Sequence, residues 1–251
     1  MKTHLTLGIL AGLAGLAGAV AAEKDTRVYE MRTYYAAPGK FEDMHARFRN
    51  HALRLFEKHG MVSIGYWVPL ENPDHKMIYV LAFPGRDARE KMWKAFMADP
   101  EWQSAYKASE VNGRLVNKVD SVLLAATDYS PAIKPGKTEP PRCFELRTYT
   151  ASPGNLDHLN ARFRNHTVKL FQKHGMTQAG YWTPMDKDKG ADNTLVYLLA
   201  HRSKEAAAAS FKAFREDPDW IAAKKASEVN GALTSKVESL FMAPTDYSPM
   251  R

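Results

Sequence analysis

"GKFEDMHARFRNHALRLFEKHGM" at residues 39–61 is answered by "GNLDHLNARFRNHTVKLFQKHGM" at residues 154–176. A match of this length at a fixed offset is the mark of an internal repeat, and it decides how the rest of the chain is read. "YEMRTY" at 29–34 meets "FELRTY" at 144–149, and "GYWVP" at 65–69 meets "GYWTP" at 180–184, at the same offset of 115. Beyond that point the offset is 118: "DPEW" (99–102) meets "DPDW" (217–220), "ASEVNG" recurs unchanged, and "TDYSP" closes both halves at 127–131 and 245–249. Three extra residues therefore fall within "MDKDKGADN" (185–193), a polar, glycine-containing stretch expected in a surface turn between two strands.

The halves meet at "DYSPAIKPGKTEPP". Its prolines at 131, 135, 140 and 141 favour an extended connection with neither helix nor central strand. The chain thus divides into residues 23–131, a proline-rich linker at 132–140, and residues 141–251. Each unit reads strand, helix, strand, strand, helix, strand. Val28–Tyr35 alternates as a strand, and Lys40–His59 carries Phe41, Met44, Phe48, Ala52 and Leu55 at helical spacing. Gly60 follows as a left-handed cap. Strands are expected over Val62–Val68, Met77–Phe83 and about Asn117–Leu124. Asp87 and Glu90 read as a capping pair for a helix running to Met97, and "DP" at 99–100 as cap and first-turn proline of another. This order is the split βαβ of a ferredoxin-like unit. The predicted class is α+β: two tandem ferredoxin-like domains, helices on one face of each sheet, pairing sheet to sheet through the other.

Residues 1–22 read differently. Lys2 precedes an apolar run from Leu5 to Ala22, rich in alanine and glycine, that gives way to "EKD". That pattern predicts a signal peptide cleaved after Ala22 and a periplasmic or secreted protein with no stable membrane span. The alternative is an uncleaved anchor. The single cysteine, Cys143, excludes an intrachain disulfide and any zinc site built on several cysteines. The formal charge of +7 comes from bases scattered among acids, which suits a solvated surface rather than nucleic-acid binding.

Charged residues on the first strand of each half pose the functional question. Alternation puts Tyr29, Met31 and Thr33 on one face and Glu30, Arg32 and Tyr34 on the other. The first set belongs under the helices, so the second faces the other half and lines a polar space between the sheets. Lys118 and Asp120, matched by Lys236 and Glu238, would pair with it across the strands. The candidate ligand-binding residues are therefore Glu30, Arg32, Tyr34 and Trp67 with Glu145, Arg147, Tyr149 and Trp182; Tyr79 adds an apolar wall. The plainer reading is cross-strand ion pairs that hold register. His51 and His166, at the margin of the apolar stripe, form a secondary candidate site. His59 and His174 are expected to meet the last carbonyls of their helices. Their spacing from His51 and His166 is too long for chelating one metal, and no metal site is predicted. No phosphate loop or nucleophile elbow appears in the sequence.

Taken in order, "YEMRTY"/"FELRTY", "PGK", "RFRNHALRLFEKHGM", "GYWVP" and "DPEW" resemble the NIPSNAP family across both halves. The resemblance implies a dimeric α/β-barrel fold with two domains fused in one chain, and it implies no established catalytic residues. The relatives of that fold include cofactor-independent monooxygenases, haem-dependent peroxidases and chlorite-degrading enzymes. Three functions follow as expectations: an exported module binding a small molecule, an interaction protein whose outer surface assembles with itself as a homo-oligomer or with a partner, and, alternatively, a cofactor-independent monooxygenase-like or haem-dependent enzyme in which His51 or His166 acts as base or ligand. The spacing favours binding or interaction over catalysis, and it names no cofactor.

Overall fold

Eight antiparallel strands close into a barrel in the computed structural model, which describes residues 25–251. The expected signal peptide lies outside the described residues. In the first half the strands are β1 (Val28–Ala36), β2 (Val62–Pro69), β3 (Lys76–Phe83) and β4 (Val116–Ala126). In the second they are β5 (Cys143–Ala151), β6 (Thr177–Pro184), β7 (Thr194–His201) and β8 (Thr234–Pro244). The order around the barrel is β1-β3-β2-β8-β5-β7-β6-β4. Each half contributes one four-stranded sheet, and two short seams close the ring: Trp67–Pro69 on Met242–Pro244, and Leu124–Ala126 on Trp182–Pro184. The halves therefore join edge to edge. An eight-stranded barrel is just wide enough for side chains to fill, so joining edges also brings the two inner sheet faces into one core.

The helices cover the outside. In the first half they are α1 (Phe41–Arg47), α2 (Leu53–Lys58), α3 (Arg86–Ala98) and α4 (Pro100–Ser109). In the second they are α5 (Leu156–Arg162), α6 (Val168–Lys173), α7 (Lys204–Glu216) and α8 (Pro218–Ser227). The single helix expected over Lys40–His59 is interrupted by a π-helical turn at Phe48–Ala52, and its counterpart by one at Phe163–Thr167. A π turn adds a residue per turn, which keeps Phe48, Ala52, Leu55 and Phe56 buried while re-aiming the polar residues between them. Arg86–Ala98 is capped by Gly85 with no side-chain bond, not by the expected Asp87–Glu90 pair. Asp99 caps α4 as expected, accepting from the Glu101 N–H at 2.8 Å. His59 bonds this Asp99 rather than helix carbonyls (Nε2 to Oδ2, 2.7 Å), as His174 bonds Asp217 (2.6 Å). The cap carboxylate offers a stronger acceptor than a terminal carbonyl, so each histidine ties the end of one helix to the start of another.

The repeated "TDYSP" segments explain themselves by an exchange. Each leaves its own half and docks on the other. Tyr129 donates to Asn160 on α5 (2.6 Å), Asp128 pairs with Arg164, and Ser130 Oγ accepts from the Tyr181 N–H (3.0 Å). Reciprocally, Tyr247 meets His45 Nδ1 on α1 (2.6 Å), Asp246 pairs with Arg49, and Ser248 Oγ accepts from the Tyr66 N–H (2.9 Å). The connection at 131–142 carries no helix or strand, and its Ile133 inserts fully buried into the barrel core. Among the described residues no helix is long and apolar enough to cross a membrane.

Candidate functional site

Strand register decides which face carries the charges. Glu30 stands opposite Leu81 and Arg32 opposite Tyr79, and both of these neighbours pack under the helices with Phe48, Phe56 and Phe96. Tyr29 and Met31 point into the barrel, beside Trp67, Ile78, Phe144 and Trp182. The assignment expected from alternation is thus inverted. Alternation separates two faces but does not say which one the helices cover, and here the helices themselves bring the partners that neutralise the charge. The barrel interior is lined by buried apolar side chains, with the Trp67 and Trp182 indole N–H groups unpartnered among them, and is not the charged lumen expected. Trp67 and Trp182 lie in it as expected, but a sheet's thickness away from Glu30, Arg32 and Tyr34. Glu145, Arg147 and Tyr149 face the helices in the same way, Tyr149 packing with Phe163 and Tyr197.

The expected cross-strand pairs also differ. Arg32 stands opposite Ser121 and Glu30 opposite Leu123, while Lys118 and Asp120 pair with each other (2.8 Å) on the exposed part of β4.

Glu30 is fully buried and accepts from four residues. Arg89 on α3 donates twice (Nε to Oε2, 2.9 Å; Nη2 to Oε1, 2.7 Å), Trp93 Nε1 donates at 2.8 Å, Ser121 Oγ at 2.7 Å and Arg32 Nη1 at 2.6 Å. Burial alone would push the carboxyl up; the Arg89 hydrogen bonds, the Arg32 charge and the Ser121 and Trp93 donors outweigh it and hold it down to about 2. A carboxylate so fully engaged is a poor base. Burial likewise opposes the charge on Arg32, but the Tyr79 and Tyr34 oxygens and Glu30 hold it protonated. Its guanidinium lies over the Trp93 ring at 4.7 Å, and its Nε is buried without a partner. An orphaned buried donor of this kind asks for an acceptor.

Beside Arg32 a cavity of about 440 Å³ opens between the sheet and the helices of the first half. Phe48, Phe56, Trp93, Phe96, Trp102 and Tyr106 supply aromatic walls. Its charged lining is Arg32, Arg47, Arg114 and Lys118 against a single acid, Glu110. Arg47 is anchored by Glu110 (2.9 Å) and sits over the Tyr106 ring at 5.0 Å. Ala52, from the π turn, gives room in the wall. This space suits a flat, apolar, negatively charged molecule.

The second half has diverged at these positions. Counting by the repeat, Arg89, Trp93, Tyr106 and Ala52 are answered by Ala207, Phe211, Lys224 and Thr167. Glu145 instead meets His201 Nε2 (3.2 Å), Ser239 Oγ (2.6 Å) and Arg147. Burial pushes Glu145 up, and the His201 hydrogen bond with the Arg147 charge holds it below the ordinary carboxylate range. Arg147 Nη2 has a further acceptor in Tyr149 (3.2 Å), and its Nε is buried without a partner as that of Arg32 is, so what distinguishes the first half is the aromatic, basic cavity beside its arginine.

His51 is half-buried, on the helical layer that also covers Glu30, but it does not line the cavity beside Arg32. His166 is exposed and lines a different cavity of about 430 Å³ near α8, with His158 and Arg162. The two histidines therefore do not form one site. The strand motif does not point to Arg89, Trp93, Arg47 or Tyr106. The signal that could find them is the repeat itself, because three of the four, Arg89, Trp93 and Tyr106, are replaced in the other copy, by Ala207, Phe211 and Lys224.

The NIPSNAP family model matches residues 29–131 and again 144–249. The chain belongs to the NIPSNAP family. Among its NIPSNAP relatives, Protein NipSnap homolog 3A of Pongo abelii is 25% identical over 227 residues, covering 89% of this chain and 85% of that protein. The human homolog 3A aligns with the same identity and coverage. This NIPSNAP barrel superposes on a candidate monooxygenase from Lactobacillus acidophilus NCFM with a TM-score of 0.57 at 9% identity, covering 88% of this chain and 94% of that one. An anthrone oxidase-like protein gives 0.57 at 12% identity, with 92% and 97% covered. Both are likenesses of fold, extending over the whole two-half barrel.

Proposed function

We propose that this NIPSNAP protein is an exported binding protein that holds a small, planar, acidic aromatic molecule between the helices and sheet of its first half. The observation that carries the reading is Arg32: a buried cation with an unpartnered Nε, stacked on Trp93 at the wall of an aromatic, predominantly basic cavity. A carboxylate would take the orphaned N–H while its rings meet Trp93 and Phe48. The strand order β4-β1-β3-β2 within each half supports reading each as a ferredoxin-like unit. Duplication followed by divergence then leaves one binding half and one supporting half.

Calorimetric titration with 2-naphthoate tests the assignment. Arg32→Met is expected to weaken binding by about 10- to 100-fold, the worth of a charge-assisted hydrogen bond. Glu30 keeps Arg89 in that variant, so the fold is retained. Arg147→Met, in the second half, is expected to leave affinity unchanged. Equal losses from both variants, or none from Arg32→Met, would remove the site.

A second reading, oxidation of the bound aromatic, is supported by the full-length likeness to a candidate monooxygenase and an anthrone oxidase-like protein. It is an analogy of fold. Oxygen uptake by the purified chain supplied with anthrone, abolished in Arg32→Met, would favour it over binding alone; uptake no faster than that of anthrone in buffer would dismiss it.

A further inference from the structure

The outer edges of β4 and β8 are free along their first halves. β4 meets β6 only from Leu124 to Ala126, and β8 meets β2 only from Met242 to Pro244. Among the described residues no strand pairs with the outer edge of 116–122 or of 234–240. An open edge presents unpaired N–H and C=O groups and is a template for another strand. Protective edges use charge to repel such a strand. These two edges instead carry alternating signs around an exposed valine: Lys118-Val119-Asp120 and Lys236-Val237-Glu238, with Val119 40% and Val237 46% exposed.

Such a triplet is complementary to itself. In an antiparallel pairing centred on Val119, Lys118 faces Asp120 of a second copy, Asp120 faces Lys118, and valine meets valine. The same holds about Val237. Because neighbours around the barrel are all antiparallel, β4 and β8, four positions apart, run in the same direction. Their free halves, both at the strand starts, therefore lie at one end of the barrel. A single two-fold axis perpendicular to the barrel can present both edges to one partner, giving a closed dimer rather than an open fibre.

We infer that this end of the barrel is an interface for a second copy of the chain, formed by β4–β4 and β8–β8 strand pairing. The β4 edge adjoins the ligand cavity, which Lys118 and Val119 also line, whereas the β8 edge has no part in it.

Sedimentation equilibrium of the purified chain tests it. A two-chain species is expected. Asp120→Lys with Glu238→Lys sets like charges opposite each other and is expected to weaken association by about tenfold or more. Adding Lys118→Asp and Lys236→Glu exchanges every sign and is expected to restore it. Far-UV circular dichroism spectra should match the wild type throughout, since all four side chains are exposed on the single chain. A wild-type chain that stays monomeric at every concentration, a reversal variant that associates as tightly as wild type, or a full exchange that fails to restore association would each overturn the inference.

Discussion

Replacing Glu30 with alanine is expected to lower the unfolding free energy by about 3–5 kcal/mol, the cost of breaking a buried ion pair by removing one partner. The change leaves Arg32 and Arg89 side by side with nothing between them, and the Trp93 and Ser121 donors lose their acceptor. Glu145→Ala in the second half should cost less, since Ala207 stands where the first half has Arg89 and only one permanent cation, Arg147, is left unpaired. Urea titrations of the two variants measure the difference, and equal losses would argue against the asymmetry. The same carboxylate sets an acid limit. Its value falls from 4.5 to about 2 on folding, so its contribution is complete above 4.5 and is lost as pH drops from there toward 2. Stability of the wild type should fall across that window more steeply than that of Glu30→Gln.

Gly65→Ala should also be severe, by about 1–3 kcal/mol or more, the usual range for overpacking a core. The Trp67 ring folds back over Gly65, so an added Cβ would stand 2.2 Å from Trp67 Cζ2. Trp67 is buried against Phe144 inside the barrel and has no solvent to swing into. Gly180 and Trp182 repeat the arrangement, with a Cβ 2.3 Å from Cη2. Two-residue separation on one strand face and a bulge between Ser63 and Gly65 bring ring and glycine together. Thermal melts of Gly65→Ala and Gly180→Ala should both shift downward. A Gly65→Ala melt unchanged from wild type would mean the Trp67 side chain lies elsewhere.

Much of the fold is legible in the sequence because the chain states it twice. Each element expected in one half is confirmed by its counterpart, and the insertion at 185–193 locates a turn, observed as a short 3₁₀ segment at Lys187–Lys189 with Gly190 left-handed. What alternation cannot supply is the identity of the face. Glu30 and Arg32 look misplaced under helices until Arg89 and Trp93 are known to lie above them, a contact 59 to 63 residues distant in the chain. The π turn is invisible for a similar reason: Phe48, Ala52 and Leu55 fit an ordinary helix as well, and only three-dimensional packing favours the extra residue. The exchange of "TDYSP" segments is written as a repeat, but a repeat does not say that each copy docks on the other half. The candidate cavity was readable only as a difference between copies, Trp93 against Phe211 and Tyr106 against Lys224.

The most direct test of the site is a crystal structure of the chain soaked in 2-naphthoate. Density with its carboxylate on Arg32 Nε and its rings between Trp93 and Phe48, in the first half alone, is the predicted result. Density inside the barrel beside Trp67 and Trp182, or an empty cavity beside Arg32 at saturating ligand, would contradict it.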